Sequence, residues 1–196
     1  MLTPEQIELR KTGIGSSEIA AVCGIDKYRK PLDVYLEKLG LVESFQGNNF
    51  TYWGTKLEKP IAEHYAETNL VELIEVGTLV HPECSFILAT PDRIVHEDGA
   101  WRKCLEVKTA NAWSKKSWGV GSDEIPENYF AQCQWEMLVT GLNECDLAVL
   151  IGGNDYREYQ IKRDDELLEV LVEKATVFWN EHVMKGIPPN ERHARL

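Results

Sequence analysis

Apolar and polar positions change period several times along this chain, and each change marks an element. Residues 3–12 read as a short helix entered at Thr3-Pro4, where threonine caps and proline takes the first turn. A second helix is predicted from Pro31 to Gly40, with Leu32, Tyr35, Leu36 and Leu39 on one stripe. After a Gly- and Asn-bearing loop over 42–52, a third runs from Gly54 to Thr68, burying Leu57, Ile61 and Tyr65. Its Pro60 must fall near the first turn or kink the helix. Three runs then read as strands, at roughly 71–80, 86–95 and 101–109. A helix over Glu127–Gly141 sets Phe130, Met137 and Leu138 on its apolar side and Tyr129, Gln132 and Glu136 on the other. Strands at 145–151 and 156–162 flank the turn Gly152-Gly153-Asn154-Asp155, and a last helix over about 165–185 stops at Gly186 and Pro188-Pro189. The order predicts an α/β fold, a central mixed sheet flanked by helices. No repeat or linker divides the chain, so 1–196 is expected to form one domain.

The chemistry concentrates in the middle. Thr90-Pro91-Asp92-Arg93 and Leu105-Glu106-Val107-Lys108-Thr109 flank an Asp98-Gly99 step, a strong hairpin signal. Alternation puts Glu106 and Lys108 on one face of their strand and Leu105 and Val107 on the other. A two-residue loop in simple register pairs Asp92 with position 105 and sends Glu106 to the opposite face. A three-residue loop over Glu97-Asp98-Gly99 pairs Asp92 with Cys104 and makes Asp92 and Glu106 diagonal neighbours, roughly 7–8 Å apart. The two carboxylates therefore meet only over a bulged or three-residue turn. Converging carboxylates repel unless a cation lies between them, and hard oxygen donors suit Mg²⁺ or Mn²⁺. A lysine two residues on can orient a water or stabilise charge on a phosphoryl oxygen. Taken alone, such a pattern is common by chance and describes an exposed hairpin equally well.

Charge and cysteines narrow the setting. A net charge of −11 over 196 residues argues against indiscriminate coating of DNA. It leaves room for a confined basic channel built from Arg10-Lys11, Lys27-Tyr28-Arg29-Lys30, Arg102-Lys103 or Lys115-Lys116, each of which alone reads as a solvated face. Trp113, Lys115, Lys116 and Trp118 suit either a nucleic-acid contact or a lid packed on its own body. The five cysteines, with no C-x-x-C, read as reduced thiols of a cytosolic protein. His81-Pro82-Glu83-Cys84 lacks the P-C-x-x-C that would complete a deaminase zinc shell. No apolar run approaches a membrane span and no signal-peptide pattern opens the chain, so a soluble protein is expected. Gly13-Ile14-Gly15-Ser16-Ser17-Glu18 precedes a helical run and suits either backbone amides aimed at an anion or a plain cap, the simpler reading.

Five separated stretches in order carry a resemblance across nearly the whole chain. They are Arg10 with Gly13-Ile14-Gly15-Ser16-Ser17-Glu18-Ile19-Ala20-Ala21; Trp53-Gly54-Thr55-Lys56-Leu57-Glu58; Pro91-Asp92; Leu105-Glu106-Val107-Lys108; and Tyr129-Phe130-Ala131-Gln132-Cys133-Gln134. The sequence resembles the lambda exonuclease, or YqaJ-type viral recombinase, family within the PD-(D/E)XK nuclease superfamily. The resemblance implies a magnesium-dependent exonuclease that digests one strand of linear duplex DNA from its 5′ end, with Mn²⁺ able to substitute. It implies a homotrimeric ring, work beside a single-strand annealing protein in phage recombination, and action in a bacterial host's cytoplasm. It further implies Asp92, Glu106 and the Val107 backbone carbonyl as metal ligands, and Glu58 as a holder of metal or water. Lys108 is then the catalytic lysine and Gln132 the residue that places the attacking water. Arg10 and Ser17 match a 5′-phosphate pocket, so residues 1–69 are expected to build that pocket and 70–196 the sheet core. Gly15-Ser16-Ser17-Glu18 departs from the more usual Gly-Gly-Ser-Asp, which bears on strand polarity. A superfamily endonuclease and a non-catalytic DNA-end scaffold are the rivals, and the presence of Asp92, Glu106 and Lys108 counts against the scaffold.

Overall fold

The computed structural model describes residues 4–42, 47–121 and 124–190. Four helices open the chain: α1 (Pro4–Lys11), the single turn α2 (Ile19–Val22), α3 (Pro31–Lys38) and α4 (Asn49–Asn69). The predicted Thr3 cap and positions 43–46 of the expected loop lie outside the described residues. Helix α4 begins five residues earlier than predicted. Asn48 accepts hydrogen bonds from the Phe50 and Thr51 amides while the Thr51 hydroxyl accepts from the Asn48 amide at 2.6 Å, a reciprocal cap. Pro60 consequently sits inside this helix, not in its first turn. Its ring costs the helix the hydrogen bond to the Lys56 carbonyl, on a side where Pro60 is exposed and water can serve that oxygen.

Five strands form the main sheet in the order β1-β4-β5-β6-β7: β1 (Glu72–Ile74), β4 (Arg93–Glu97), β5 (Ala100–Ala110), β6 (Glu144–Ile151) and β7 (Asp155–Lys162). Strands β2 (Leu79–His81) and β3 (Cys84–Ala89) form a separate antiparallel pair. The predicted strand over 71–80 is thus two strands in two sheets, and the one over 86–95 is broken at Thr90-Pro91-Asp92. The β5–β6 pair is parallel and the rest of the main sheet antiparallel, which makes the sheet mixed as expected. Helix α4 covers one face, setting Ile61, Ala62 and Tyr65 against Val95, Leu105, Val107 and Ala148. Helix α5 (Glu127–Thr140) covers the other, with Cys133 and Met137 against Ile94, Cys104, Cys145 and Leu147. The chain closes with α6 (Asp165–Val177), which runs on into a π-helical segment, Phe178–Val183.

The β4–β5 hairpin settles the register question in a way the sequence did not choose. Its turn has two residues, Asp98 and Gly99, both with positive φ (51° and 76°), the conformation that twists with the strands. Glu97 faces Ala100 and His96 faces Trp101, but Val95 faces Lys103, so Arg102 is an extra residue bulged out of β5. Beyond the bulge Arg93 pairs with Leu105. One step further, Asp92 stands opposite Glu106 and not opposite Cys104. The required bulge is present, in the strand and not in the turn.

The N-terminal segment is stitched to β3. The Ile14 amide donates to the Phe86 carbonyl at 2.7 Å, the Leu88 amide to the Ile14 carbonyl at 3.0 Å, and Trp135 of α5 donates its indole N–H to the Ile14 and Leu88 carbonyls. Gly13 is what permits this approach, since a Cβ there would lie 2.5 Å from the Phe86 carbonyl oxygen. The strand so gripped leads directly to Thr90-Pro91-Asp92.

Candidate active site

Strand β5 carries Glu106 and Lys108 to the α5 face, while Leu105 and Val107 point into the α4 core, as alternation requires. Asp92 leaves β3 just before β4 and accepts a hydrogen bond from the Val107 amide at 2.8 Å. The N–H and C=O of one strand residue point to the same edge, so the Val107 carbonyl also faces the Asp92 side. From α5, Gln132 donates its amide N–H to Glu106 Oε1 at 2.6 Å, and Lys108 forms an ion pair with the same oxygen. The Lys108 ammonium also lies 5.2 Å from the centre of the Tyr129 ring.

These groups line one cavity of about 380 Å³, and the same cavity reaches Arg10, Ser17 and Glu58. Arg10, at the end of α1, donates to the Ser17 hydroxyl at 2.7 Å. The chain therefore brings together Arg10, Ser17, Glu58, Asp92, Glu106, Lys108 and Gln132, from five separate segments. Glu58 has a cationic partner in this cavity. Its carboxylate is held by Arg93 at 2.9 Å, and Arg93 also reaches Glu75 at 3.1 Å. Among the described residues no three His, Cys, Asp or Glu side chains converge as a ready metal cluster.

The electrostatics are those of an acidic site short of cations. Burial pushes Glu106 up to about 8, with the Glu136 charge adding to it and Lys108 opposing. Asp92 is pushed well above the carboxylate range by burial, then by the charge of Glu106. Burial alone would depress Lys108, yet Glu106 and Asp92 together hold its ammonium above the usual lysine range. Glu106 Oε2 is buried with no hydrogen-bond partner. An orphaned carboxylate oxygen beside a second carboxylate and an open carbonyl edge is a donor set that suits a hard divalent cation.

Sequence reasoning passed over two residues here. Arg93 neighbours Asp92 and supplies the only counter-charge to Glu58 among the described contacts. Glu136 is fully buried, and its Oε1 lies 3.2 Å from the Gln132 amide nitrogen. Its i,i+4 spacing from Gln132 was the available signal, but Glu136 was expected on a polar face, whereas α5 buries residues 131–137 without a break. The 110–126 region divides between its two readings. Trp118 is buried and stacked on Tyr129 (5.5 Å between centres), as a lid packed on its own body, while Trp113 stays 88% exposed.

A mixed sheet covered by helices on both faces is the fold of a PD-(D/E)XK-type core. The chain belongs to the YqaJ-like viral recombinase domain family, whose pattern matches residues 6–143. It is 34% identical over 184 residues to the uncharacterized protein YqaJ of Bacillus subtilis, covering 92% of this chain and 56% of that one. It is 31% identical over 150 residues to the uncharacterized protein R354 of Acanthamoeba polyphaga mimivirus, covering 72% of this chain and 27% of that protein. The chain thus spans about half, or less, of the length of these relatives. In fold it is similar to an alkaline exonuclease from Laribacter hongkongensis, with a TM-score of 0.76, 23% identity and 94% of each chain covered. It is also similar to a phage related exonuclease from Haemophilus somnus, with a TM-score of 0.66, 15% identity, and 89% of this chain and 96% of that one covered.

Proposed function

We propose that this chain is a metal-dependent exonuclease that degrades one strand of linear double-stranded DNA from its 5′ end. The observation that carries the reading is the single cavity shared by two groups: Asp92, Glu106, Lys108 and Gln132 on one side, Arg10 and Ser17 on the other. Metal-assisted hydrolysis needs the first group, and recognition of a terminal phosphate needs the second. Asp92, Glu106 and the Val107 carbonyl would hold Mg²⁺ or Mn²⁺, with Glu58, near Arg93, helping to hold metal or water. The cation, when bound, neutralises the scissile phosphate and makes water a competent nucleophile. Gln132, anchored through its N–H on Glu106, presents its carbonyl oxygen to align that water. Lys108 offsets the charge that builds on the phosphoryl oxygen.

Arg10 then sets polarity. Its planar fork can clasp two of the three free oxygens of a terminal phosphate, whereas an internal phosphodiester carries one charge and gives less access. The alkaline exonuclease and phage related exonuclease of similar fold support an exonuclease over an endonuclease. A second structure of the former, in complex with dAMP, matches with a TM-score of 0.77 and 24% identity. The family supports a role in phage-type recombination in a bacterial cytoplasm, beside a single-strand annealing protein. A homotrimeric ring would turn the few basic clusters of an acidic chain toward a shared channel.

The test is digestion of linear duplexes with 5′-phosphate or 5′-hydroxyl ends in Mg²⁺, beside covalently closed circles. Rapid loss of the 5′-phosphorylated strand, slower attack on 5′-hydroxyl ends and intact circles are expected. Nicked circles at comparable rates would replace the exonuclease reading with an endonuclease. Light scattering that finds a monomer at micromolar concentration, with undiminished processivity, would remove the ring.

A further inference from the structure

We infer that the buried ion pair between Glu18 and Lys38 positions the phosphate pocket, holding Arg10 and Ser17 at a fixed separation; this rests on the proposed 5′-phosphate reading. Neither residue lines the cavity, and neither figured in the sequence reading as a functional group. Their side chains are 5% and 3% exposed. Lys38 projects from the last turn of α3 and donates to both Glu18 oxygens, at 2.9 and 2.7 Å. The same ammonium donates to the Arg10 carbonyl at 2.5 Å. Glu18 Oε2, which Lys38 reaches at 2.7 Å, also accepts from the Gly15 amide at 2.8 Å, and Arg29 stands 3.8 Å from Oε1, tied to Glu37 at 2.5 Å.

One cation therefore caps the carboxyl end of α1, and one anion gathers the amide of the loop that leads into α2. Both ends are where the backbone leaves groups of the complementary sign unpaired. The two sit against each other, so the carbonyl of Arg10 and the amide of Gly15 are joined through three charge-assisted hydrogen bonds. Arg10 and Ser17 hang from the two strands of backbone so joined, and their side chains meet at 2.7 Å.

Stability is a poor reason for this arrangement. A buried ion pair roughly balances its own desolvation, and apolar residues of similar volume often do as well or better. Geometry is a better one, because a bidentate clasp tolerates little error in the placement of its donors. The Gly15 amide, with its hydrogen taken by Glu18, is unavailable to an anion, which leaves Arg10 and Ser17 to make the recognition.

The measurement is the ratio of kcat/KM on duplexes with 5′-phosphate against 5′-hydroxyl ends, in the wild type, Arg10→Ala and the double variant Glu18→Gln/Lys38→Met. The double variant removes both charges together and keeps an acceptor for the Gly15 amide, so no lone charge is left buried. A well-aimed charge-assisted hydrogen bond is worth roughly tenfold or more, and the ratio is expected to fall by about that factor, towards the Arg10→Ala value. In an Arg10→Ala background the same double change should leave the ratio where it is, since there is then nothing to position. Lys38→Arg, which keeps the charge and a donor, should recover most of the ratio. A double variant with a wild-type ratio, or one that lowers the ratio equally with and without Arg10, overturns the inference. A wild-type enzyme indifferent to the 5′ end overturns instead the phosphate-pocket reading on which the inference stands.

Discussion

Replacing Glu106 by glutamine should change the stability of the metal-free protein in opposite directions at pH 5 and pH 7. Glu106 is held protonated up to about 8, against 4.5 for an open glutamate. A raised carboxyl contributes its stability below 4.5 and loses it as pH climbs through about 8. Each pH unit in that window costs the folded protein about 1.4 kcal/mol relative to the unfolded chain. At pH 7 the accumulated cost is about 3 kcal/mol and at pH 5 it is below about 1 kcal/mol. Glutamine abolishes this cost, but with its oxygen kept on the Lys108 and Gln132 donors its NH2 group takes the place of Oε2, which is buried without a partner, and an unsatisfied buried donor costs about 1–2 kcal/mol. The first effect wins at pH 7 and the second at pH 5. Glu106→Gln is therefore expected to be about 1–2 kcal/mol more stable than wild type at pH 7 and about 1 kcal/mol less stable at pH 5. Urea denaturation followed by tryptophan fluorescence in EDTA gives both numbers. Saturating Mg²⁺ should then raise the wild-type midpoint and leave the variant almost unmoved. A difference of the same sign at both pH values would refute the picture of a buried carboxyl held protonated in the metal-free protein.

Two further changes probe other links of the same chain of causes. Lys108→Ala should lower kcat by about 10²–10³-fold while the Mg²⁺ concentration for half-maximal rate stays within a factor of two or so; loss of activity only through weaker Mg²⁺ dependence would reassign the lysine. Gly13→Ala should destabilise by about 1–3 kcal/mol, because its Cβ would strike the Phe86 backbone and push α1 with Arg10 away from β3, and a variant that melts like wild type would mean the stitch is looser than its hydrogen bonds suggest.

The acidic pair and its lysine were legible because strand alternation is a rule of backbone geometry, indifferent to what packs around it. Glu106 and Lys108 could be placed on one face before any contact was known, and Asp92 with them only on condition of a bulged or three-residue turn. The bulge at Arg102 was not legible, since no local residue preference distinguishes an extra residue in the strand from one in the turn. Helix α4 was started too late because Gly54 and the polar Asn48-Asn49 looked like a loop, although Asn48 and Thr51 form its cap. The run at 71–80 looked continuous because Glu75 to Thr78 offers a weak break that only the separate pairings of β1 and β2 reveal. Helix α5 misled most. Gln132 and Glu136 were set on the side away from its apolar residues, yet both are buried, as is Gln134, which the Lys162 carbonyl and the Asp164 amide satisfy. Period analysis reads polarity, and cannot see a partner from another strand.

The extra residue at Arg102 makes the site a matter of counting. The tip of the β4–β5 hairpin is exposed, and such tips ordinarily accept insertions and deletions freely. Here the number of residues between Asp92 and Glu106 decides whether their carboxylates oppose each other or point to opposite faces. Lengthening each strand by one residue beyond the bulge preserves the pairing below it. Adding or removing a single residue does not, unless a new bulge absorbs it. The hairpin tip can therefore vary in sequence as an exposed loop does, while any change in its length has to be taken up in the turn or in a second bulge to keep the two carboxylates on one face.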